Sequence, residues 1–377
     1  MTNADFLLAA LRIRFDPSAA ETVRAGASAL EGGWEALCAT VQDERVGPLL
    51  SRTLGKLDFV PPSVRETLRQ SYRVSGLNNV LLFHELGEGL RALAAADLPV
   101  VVLKGAALAD TVYDNAAVRP MCDVDLLVRR AELAAAQRVF EGLGFGLARA
   151  ETHPGALAEH ENEVVLSKPG PIAAFVDLHW SLFDSPYYQQ QIAMDWFWDT
   201  AQPVRVADVP TRILGPEAQI IHLCGHLGLH HASHGLLWWH DIAQVLVCYR
   251  DRIDWPALLQ QTERNELVLP VRDVLTRAAE DWKAPVPASV LERLRSTQPS
   301  RAERQAAAGF NAAGRPAGRR FWADLAAMPG WRPRLRFART NLFPSLAYMR
   351  ERYKVAHPLL LPLYYPYRWL RGLLGLR

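Results

Sequence analysis

Residues 98–128 read LPVVVLKGAALADTVYDNAAVRPMCDVDLLV, and two short apolar runs within them predict two buried strands. The first run is rich in β-branched residues and ends at Lys104-Gly105, which predicts a strand followed by a helix over about residues 106–113. The second run extends over residues 124–128. This stretch therefore predicts a strand, a helix and a second strand, which is the start of a small α/β unit.

The flanking sequence completes the expected organisation of the chain. The segment AELAAAQRVFEGLGF predicts a helix that ends near Gly142. Two further apolar runs flank the turn KPGP at residues 168–171 and predict a hairpin. Apolar residues three and four apart predict helices both before and after this unit. We expect an α+β fold in four parts: a helical lead-in (1–96), an α/β core (97–210), a helical domain with a His-rich helix (211–298) and a basic C-terminal segment (299–377).

The composition is typical of a folded protein. Half of the 377 residues are hydrophobic and 22% are charged, which argues against intrinsic disorder. The four cysteines include no CxxC pair, so neither a disulfide framework nor a zinc ribbon is expected. The N-terminal apolar run is too short for a signal sequence or a membrane span. We expect a cytoplasmic protein with reduced thiols.

Three acids predict a metal site. Side chains two apart on a strand point to the same face, so Asp123 and Asp125 are expected to lie together. Two carboxylates that close repel each other, and Mg²⁺ or Mn²⁺ would neutralise them with the oxygen ligands that Mg²⁺ prefers. Asp177 lies in the apolar run FVDL, where an unpaired acid has no stabilising partner. The three acids are therefore expected to converge, with Asp177 as a metal ligand or a general base.

Other polar residues near these acids predict nucleotide contacts. Lys104 and Gly105 precede the free amides of a helix N-terminus, which suit phosphate oxygens, although Lys104 could instead pair with a nearby acid. Arg119 is expected to contact the same charge or to hold the aspartate loop, which we define as residues 116–123. His179 shares a face with Asp177 and is expected to be a ligand, an orienting group or a hydrogen-bonded core histidine.

The runs LPVVVLKG, DVDLLV and FVDLHW resemble those of the uncharacterised nucleotidyltransferase family of the DNA polymerase β-like superfamily. The helical lead-in and the segment WWHDIAQVL also resemble that family. The resemblance implies a polymerase β-like mixed sheet, with Asp123 and Asp125 as metal ligands and Asp177 as the third acid. The broader superfamily usually has Gly-Ser where this chain has Lys104-Gly105, and Lys104 is expected to hold the phosphates instead.

These features together predict an enzyme. We expect metal-dependent transfer of a nucleoside monophosphate, AMP from ATP, to a hydroxyl of a small molecule, a saccharide or a protein, with release of pyrophosphate. Two alternatives stay open, a catalytically silent nucleotide-binding or scaffold protein and a toxin-like enzyme that modifies tRNA. The complete set of three acids favours an enzyme over a scaffold.

A histidine-rich segment follows the predicted core. His222, His226, His230 and His234 recur every four residues, which predicts one stripe along a helix. The motif HExxH is absent, and no neighbouring acid or cysteine completes an obvious zinc site. Most of these histidines are expected to pack in the core. His226, alone or with His230, is expected to face the nucleotide cleft.

The adjacent pair Trp238-Trp239 lies at the end of the same segment. Adjacent rings cannot both face the core of one helix. We therefore expect one buried and one partly exposed ring, or a ring that stacks on the substrate base. Asp241 is expected to be a structural acid close to the site.

The C-terminal fifth of the chain is basic. Residues 301–377 contain fifteen Lys and Arg and three acids, a net charge of +12 in a chain whose total is +2. The final run, HPLLLPLYYPYRWLRGLLGLR, has too many prolines to span a bilayer. It is expected to wrap the protein body in a strand-like form or to lie on a membrane surface. Nucleic acid is a less favoured partner, because no aromatic-basic RNA motif is present.

Overall fold

The computed structural model describes residues 1–148, 151–153, 156, 161–170, 172–231, 233–310, 321–322, 325–326, 328, 330–355 and 357–374. Pro171 of the predicted turn, the run AAGRPAGRR (312–320) and Arg377 lie outside these residues. The fold is α+β, as predicted, with helical regions before and after one mixed sheet. The division into four parts stays a prediction.

The sheet has seven strands among the described residues, in the order β3-β4-β5-β2-β1-β7-β6. The strands are β1 (Val100–Val102), β2 (Val124–Val128), β3 (Gly146–Leu147), β4 (Glu163–Lys168), β5 (Ala174–His179), β6 (Gln202–Val206) and β7 (Val209–Ile213). β4 and β5 form the predicted antiparallel hairpin, and β2 pairs in parallel with β5. Every residue of β2 is buried, as expected of a central strand covered on both faces.

The hairpin of β6 and β7 was not predicted from the sequence. These strands alternate exposed and buried residues, and they turn through Ala207 and Asp208, which both adopt positive φ. β7 pairs in parallel with β1. It ends at Ile213, beyond the predicted boundary of the core at residue 210.

Helices precede, cross and follow the sheet. The helical lead-in contains α1 (Asn3–Arg12), α2 (Ala19–Gly26), α3 (Gly33–Asp43), α4 (Gly47–Arg52) and α5 (Pro62–Ala95). Helices α6 (Lys104–Thr111) and α7 (Leu133–Gly142) follow β1 and β2. The later helices are α8 (Pro186–Gln191), α9 (Met194–Asp199), α10 (Pro216–Gly225), a π-helical turn (His226–His230), α11 (Leu236–Tyr249), α12 (Trp255–Arg264), α13 (Val268–Glu280), α14 (Ala288–Ser296), α15 (Arg301–Phe310), α16 (Trp331–Leu342), α17 (Leu346–Tyr353) and α18 (Leu361–Leu374).

Helix α5 connects the two main buried clusters. Its N-terminal half places Val64 and Leu68 in the cluster that the helices form, and its C-terminal half places Leu86 and Leu90 against the sheet. The apolar burial at both ends holds α5 against a face of the sheet, where Leu86 and Leu90 share a cluster with Val124 and Leu126 of β2. The central strand that carries Asp125 is therefore supported by α5.

The prediction that the C-terminal run wraps the body as a strand is wrong. This run forms helix α18, in which Pro362 occupies the first turn, a position that proline tolerates. The Trp369 indole N–H donates to Leu342 O at 2.7 Å, and the Tyr365 hydroxyl donates to Pro344 O at 2.6 Å. Aromatic residues four apart thus anchor one face of the helix. Of the described helices, none combines the length and the hydropathy needed to cross a bilayer.

Candidate metal and nucleotide site

Strands β2 and β5 bring the second and third predicted acids together. Asp125 pairs with Asp177, and Leu127 pairs with His179, in the parallel register of these strands. One oxygen or nitrogen atom from each of Asp125, Asp177 and His179 lies within 4.8 Å of the other two. Within the described part of the chain, this is the only such set of three acidic, histidine or cysteine residues.

Asp125 is buried and already has two partners. Its Oδ1 accepts a hydrogen bond from Lys104 Nζ at 2.7 Å and lies 2.8 Å from His179 Nε2. Burial alone would raise the pKa of Asp125, but the Lys104 ammonium and the His179 contact outweigh burial and hold this pKa below its usual range. Asp125 is therefore a carboxylate at neutral pH.

Asp177 has the opposite electrostatic character. Its Oδ1 is buried and has no hydrogen-bond partner within the described part of the chain. Burial, followed by the charges of Asp125 and Glu163, raises the pKa of Asp177 to about 8. An unpaired buried carboxylate oxygen is costly, and a divalent cation would remove that cost by binding it. The donor set thus fits a hard cation that Asp125, Asp177 and His179 hold together.

Asp123 lies just before β2, at the mouth of the same cleft, rather than within the strand. Its side chain is exposed and makes no ion pair with a described residue. Removal of water by the cleft walls, and then the Asp125 charge, raise the pKa of Asp123. Asp123 therefore stands beside the set of three as a further acid that can reach a cation or a substrate.

Lys104 and Gly105 lie where β1 passes into α6. The helix begins at Lys104, two residues before the predicted start, and Lys104 adopts φ +41°, a conformation unusual for a lysine. Burial would lower the pKa of Lys104, but the Asp125 carboxylate outweighs burial and raises it. The observed contact of Lys104 is the ion pair with Asp125. Its predicted contact with phosphate stays a prediction.

Arg119 is held in a buried ion pair. Its Nη2 lies 2.8 Å from Asp241 Oδ2, its Nε lies 3.3 Å from Asp241 Oδ1, and its Nη1 donates to Pro120 O at 3.0 Å. The Tyr113 hydroxyl donates to the same Asp241 at 2.7 Å. Of the two expectations for Arg119, the observed contacts match the structural one. Asp241 is the structural acid that the sequence suggested.

Residues that the sequence did not indicate complete the support. Asn79 of α5 donates to Ala116 O at 2.6 Å and to Arg119 O at 2.8 Å, and its Oδ1 accepts from Met121 N at 3.3 Å. Glu163 Oε2 lies 3.1 Å from His179 Nδ1 and so orients the ring that reaches Asp125. Asn79 sits on a helical face without a motif, so only tertiary contacts reveal its role.

The prediction of one continuous histidine stripe is wrong. Helix α10 ends at Gly225, the residues from His226 to His230 form the π-helical turn, and His234 follows it in an exposed position. His222 is buried in the core, as expected for most of the segment. His226 and His230 line the cleft with His231, and the predicted contact of His226 with a nucleotide stays a prediction. Packing of Gly228 against Pro270 accompanies this change of helix type.

The two adjacent tryptophans differ in burial, as expected if one ring is buried and the other is partly exposed. Trp239 is buried and Trp238 is half-buried. Trp238 lines the cleft and stacks on His231, with ring centroids 3.5 Å apart. The cleft has a volume of about 380 Å³, which lies within the range of small-molecule sites. Asp125 of β2, with Asp177 and His179 of β5, lies in one wall of this cleft, and the histidine segment with Trp238 forms the other wall.

Comparisons with known families and with solved structures each gave a match. Among curated proteins, none matches the sequence. The crystal structure of an antigenic nucleotidyltransferase-like protein from Paracoccidioides brasiliensis is similar over 55% of this chain and 95% of that chain, with 14% sequence identity and a TM-score of 0.37. Residues 31–306 match the family described as uncharacterised nucleotidyltransferase, and the chain therefore belongs to that family.

Proposed function

We propose that this protein transfers a nucleoside monophosphate, AMP from ATP, to a hydroxyl of a small molecule, a saccharide or a protein, and requires Mg²⁺ or Mn²⁺. The observation that carries this proposal is the buried Oδ1 of Asp177. This oxygen lies near Asp125 and His179 and has no hydrogen-bond partner among the residues that the structure describes. A bound divalent cation would neutralise phosphate charge and activate an oxygen nucleophile. Membership of a nucleotidyltransferase family supports the same class of reaction.

Each polar residue that β1, β2 and β5 bring to the cleft then has a role. Asp125 and His179 would hold the cation with one oxygen of Asp177. Lys104 keeps the Asp125 carboxylate charged and oriented through its 2.7 Å contact. A bound cation would displace the proton of Asp177, and the second oxygen of the ionised carboxylate would accept the proton of the acceptor hydroxyl, while the acceptor oxygen bonds to the α-phosphorus and the bond to pyrophosphate breaks. Asp123 at the cleft mouth contributes a further carboxylate for the cation and its nucleotide.

The test is incubation of the protein with each NTP labelled at the α-phosphate, Mg²⁺ and cell extract. We expect label from ATP on a protein, a saccharide or a small metabolite, and loss of at least about a hundredfold in rate for Asp177→Asn, as for removal of a catalytic group. Asp251→Asn is the matched control, since its side chain is 92% exposed and outside the cleft.

The outcomes separate the alternatives. Label on tRNA would indicate a tRNA-modifying enzyme instead. Nucleotide binding without transfer would indicate a silent nucleotide-binding protein. Equal transfer by the wild type and Asp177→Asn would contradict the assignment of the acid site, because the unpaired oxygen is its main support.

We also propose that the C-terminal region contacts an anionic membrane surface. Leu363, Tyr367 and Leu370 recur on one face of α18, and their exposed fractions are 68%, 48% and 59%. The guanidinium of Arg371 lies 5.6 Å from the Tyr367 ring, beside this face. An exposed apolar helical face bordered by arginine is typical of helices that bind anionic lipid.

Sedimentation with vesicles tests this contact. We expect the full chain to bind vesicles that contain phosphatidylserine, and to bind vesicles of phosphatidylcholine alone much more weakly. The double variant Leu363→Ser, Leu370→Ser is expected to stay in the supernatant with both. Wild-type protein that sediments with neither vesicle would contradict the proposal.

A further inference from the structure

Of the described residues that line the cleft, one arginine makes no ion pair with a carboxylate. Of the cationic side chains that line it, Lys104 is paired with Asp125 and Arg119 is paired with Asp241. The third is Arg45, which lies in the turn after α3 and makes no ion pair with any described residue. Arg45 therefore carries the positive charge in the cleft that remains available to an anionic ligand.

The turn that carries Arg45 is fixed on both sides of the cleft. Glu44 accepts a hydrogen bond from Leu236 N at 2.7 Å, at the start of α11. Arg45 itself adopts φ +57° and places its Nη1 3.2 Å from Cys122 Sγ in the aspartate loop. These two contacts hold Arg45 of the helical lead-in beside Asp123, which follows Cys122 in the chain.

Neutral imidazole rings stand next to Arg45. The Nε2 atoms of His226 and His231 lie 3.0 Å apart, so one of the two rings donates to the other. Burial, and then the Lys104 charge, hold the pKa of His226 well below its ordinary value and lower that of His231 to about 4. These rings therefore offer hydrogen bonds without adding charge at neutral pH.

The same wall is poorly suited to a nucleobase. His231 already stacks on Trp238 with centroids 3.5 Å apart, and the Arg45 guanidinium lies 5.6 Å from the same ring. Gly235, with φ +102°, leaves room for this tryptophan, since a Cβ there would collide with the ring. A base would have to displace a group that contacts Trp238, whereas a phosphate group needs only the open side of Arg45.

We propose that Arg45, with His226 and His231, forms the subsite for the β- and γ-phosphates of the donor, the pair that leaves as pyrophosphate. This inference rests on the proposed function. Two observations support it, the lack of a carboxylate partner for Arg45 and the fixed position of its turn beside the acid site. A guanidinium suits phosphate because it donates two parallel hydrogen bonds with charge.

Calorimetric titration with pyrophosphate, AMP and ATP, each with Mg²⁺, tests the subsite without any transfer reaction. We expect Arg45→Met to weaken binding of pyrophosphate and ATP by at least about tenfold, as for loss of a charged hydrogen bond, and to leave AMP binding within about twofold. Arg250→Met is the control, since Arg250 lies outside the cleft with a side chain 64% exposed. Arg45→Lys keeps the charge and is expected to retain part of the pyrophosphate affinity.

Unchanged pyrophosphate affinity in Arg45→Met, or an equal loss for AMP, would overturn the subsite. Thermal unfolding of each variant checks its fold, and His231→Gln provides a second reading if Arg45→Met unfolds. His231→Gln is also expected to weaken pyrophosphate more than AMP, and the opposite order would overturn the proposal. If the protein bound pyrophosphate through Arg45 but transferred no nucleotide, the proposed function would be contradicted and the proposed subsite would not.

Discussion

Replacement of Gly105 by alanine should destabilise the protein, because the added methyl group would collide with the buried Arg119. A Cβ at Gly105 would collide with Arg119 Nη1 and would lie 3.2 Å from Arg119 Cζ. Arg119 cannot move aside freely, because two hydrogen bonds tie it to Asp241 and a third ties it to Pro120. The substitution therefore forces either the ion pair or the start of α6 to shift.

The size of the effect follows from two opposed contributions. Alanine in place of glycine within a helix is favourable by about 1 kcal/mol. Disruption of a buried ion pair costs about 3–5 kcal/mol, because one charge is left buried and unpaired. The expected net loss in the free energy of unfolding of Gly105→Ala is therefore about 2–4 kcal/mol.

Urea unfolding monitored by circular dichroism measures this loss. Gly142→Ala is the matched control, because Gly142 also lies in a helix and a Cβ there would meet no atom within 4 Å. We expect Gly142→Ala to be as stable as the wild type or slightly more stable. If Gly105→Ala matched Gly142→Ala in stability, the close approach of Arg119 to the helix would be refuted.

Three further predictions concern the loop, the pH dependence and the cleft. Asn79→Ala should lower the free energy of unfolding by about 2–4 kcal/mol in the same assay, because one buried and one part-buried carbonyl lose their donor; a loss below about 0.5 kcal/mol would contradict this role. Burial lowers the pKa of His240 from 6.5 to about 3. As the pH falls below 6.5, this histidine therefore becomes protonated in the unfolded chain and stays neutral in the folded chain. Stability should therefore decrease by about 2 kcal/mol between pH 7 and pH 5 through this residue, and urea titrations at the two pH values should show a smaller decrease in His240→Asn. Cys122 and Cys248 are exposed, so both should react with a thiol reagent, and Mg²⁺ with ATP should slow only Cys122, as peptide mapping would show.

The sequence predicted the parts of the fold that leave a local signal. Apolar runs, a change of period and the KPGP turn were sufficient for β1, β2, β4 and β5, and the resemblance to the family is confirmed. The short strands β6 and β7 were missed. Exposed residues alternate with half-buried or buried ones along both strands, so neither strand contains a strongly apolar run. The π-helical turn was missed because a spacing of four does not distinguish it from an α-helix.

The site was predictable as a set of acids and less so as a set of contacts. Asp125 and Asp177 stand in register because β2 and β5 pair in parallel, an arrangement that strand faces alone do not specify. The partners Asn79 and Asp241 come from helices distant in sequence, and their roles depend on how those helices pack. Arg45 carried no motif, and its place in the cleft follows from the hydrogen bond between Glu44 and α11.

Binding of Mn²⁺ tests the central claim that the unpaired oxygen of Asp177 belongs to a cation site. Electron paramagnetic resonance of free Mn²⁺, titrated with protein in the absence of ATP, reports the fraction bound to the protein directly. The geometry predicts that the wild type and Asp251→Asn bind Mn²⁺ alike, and that Asp177→Asn binds it at least about tenfold more weakly, as for loss of a metal ligand. Equal Mn²⁺ affinity in the wild type and Asp177→Asn would contradict the account.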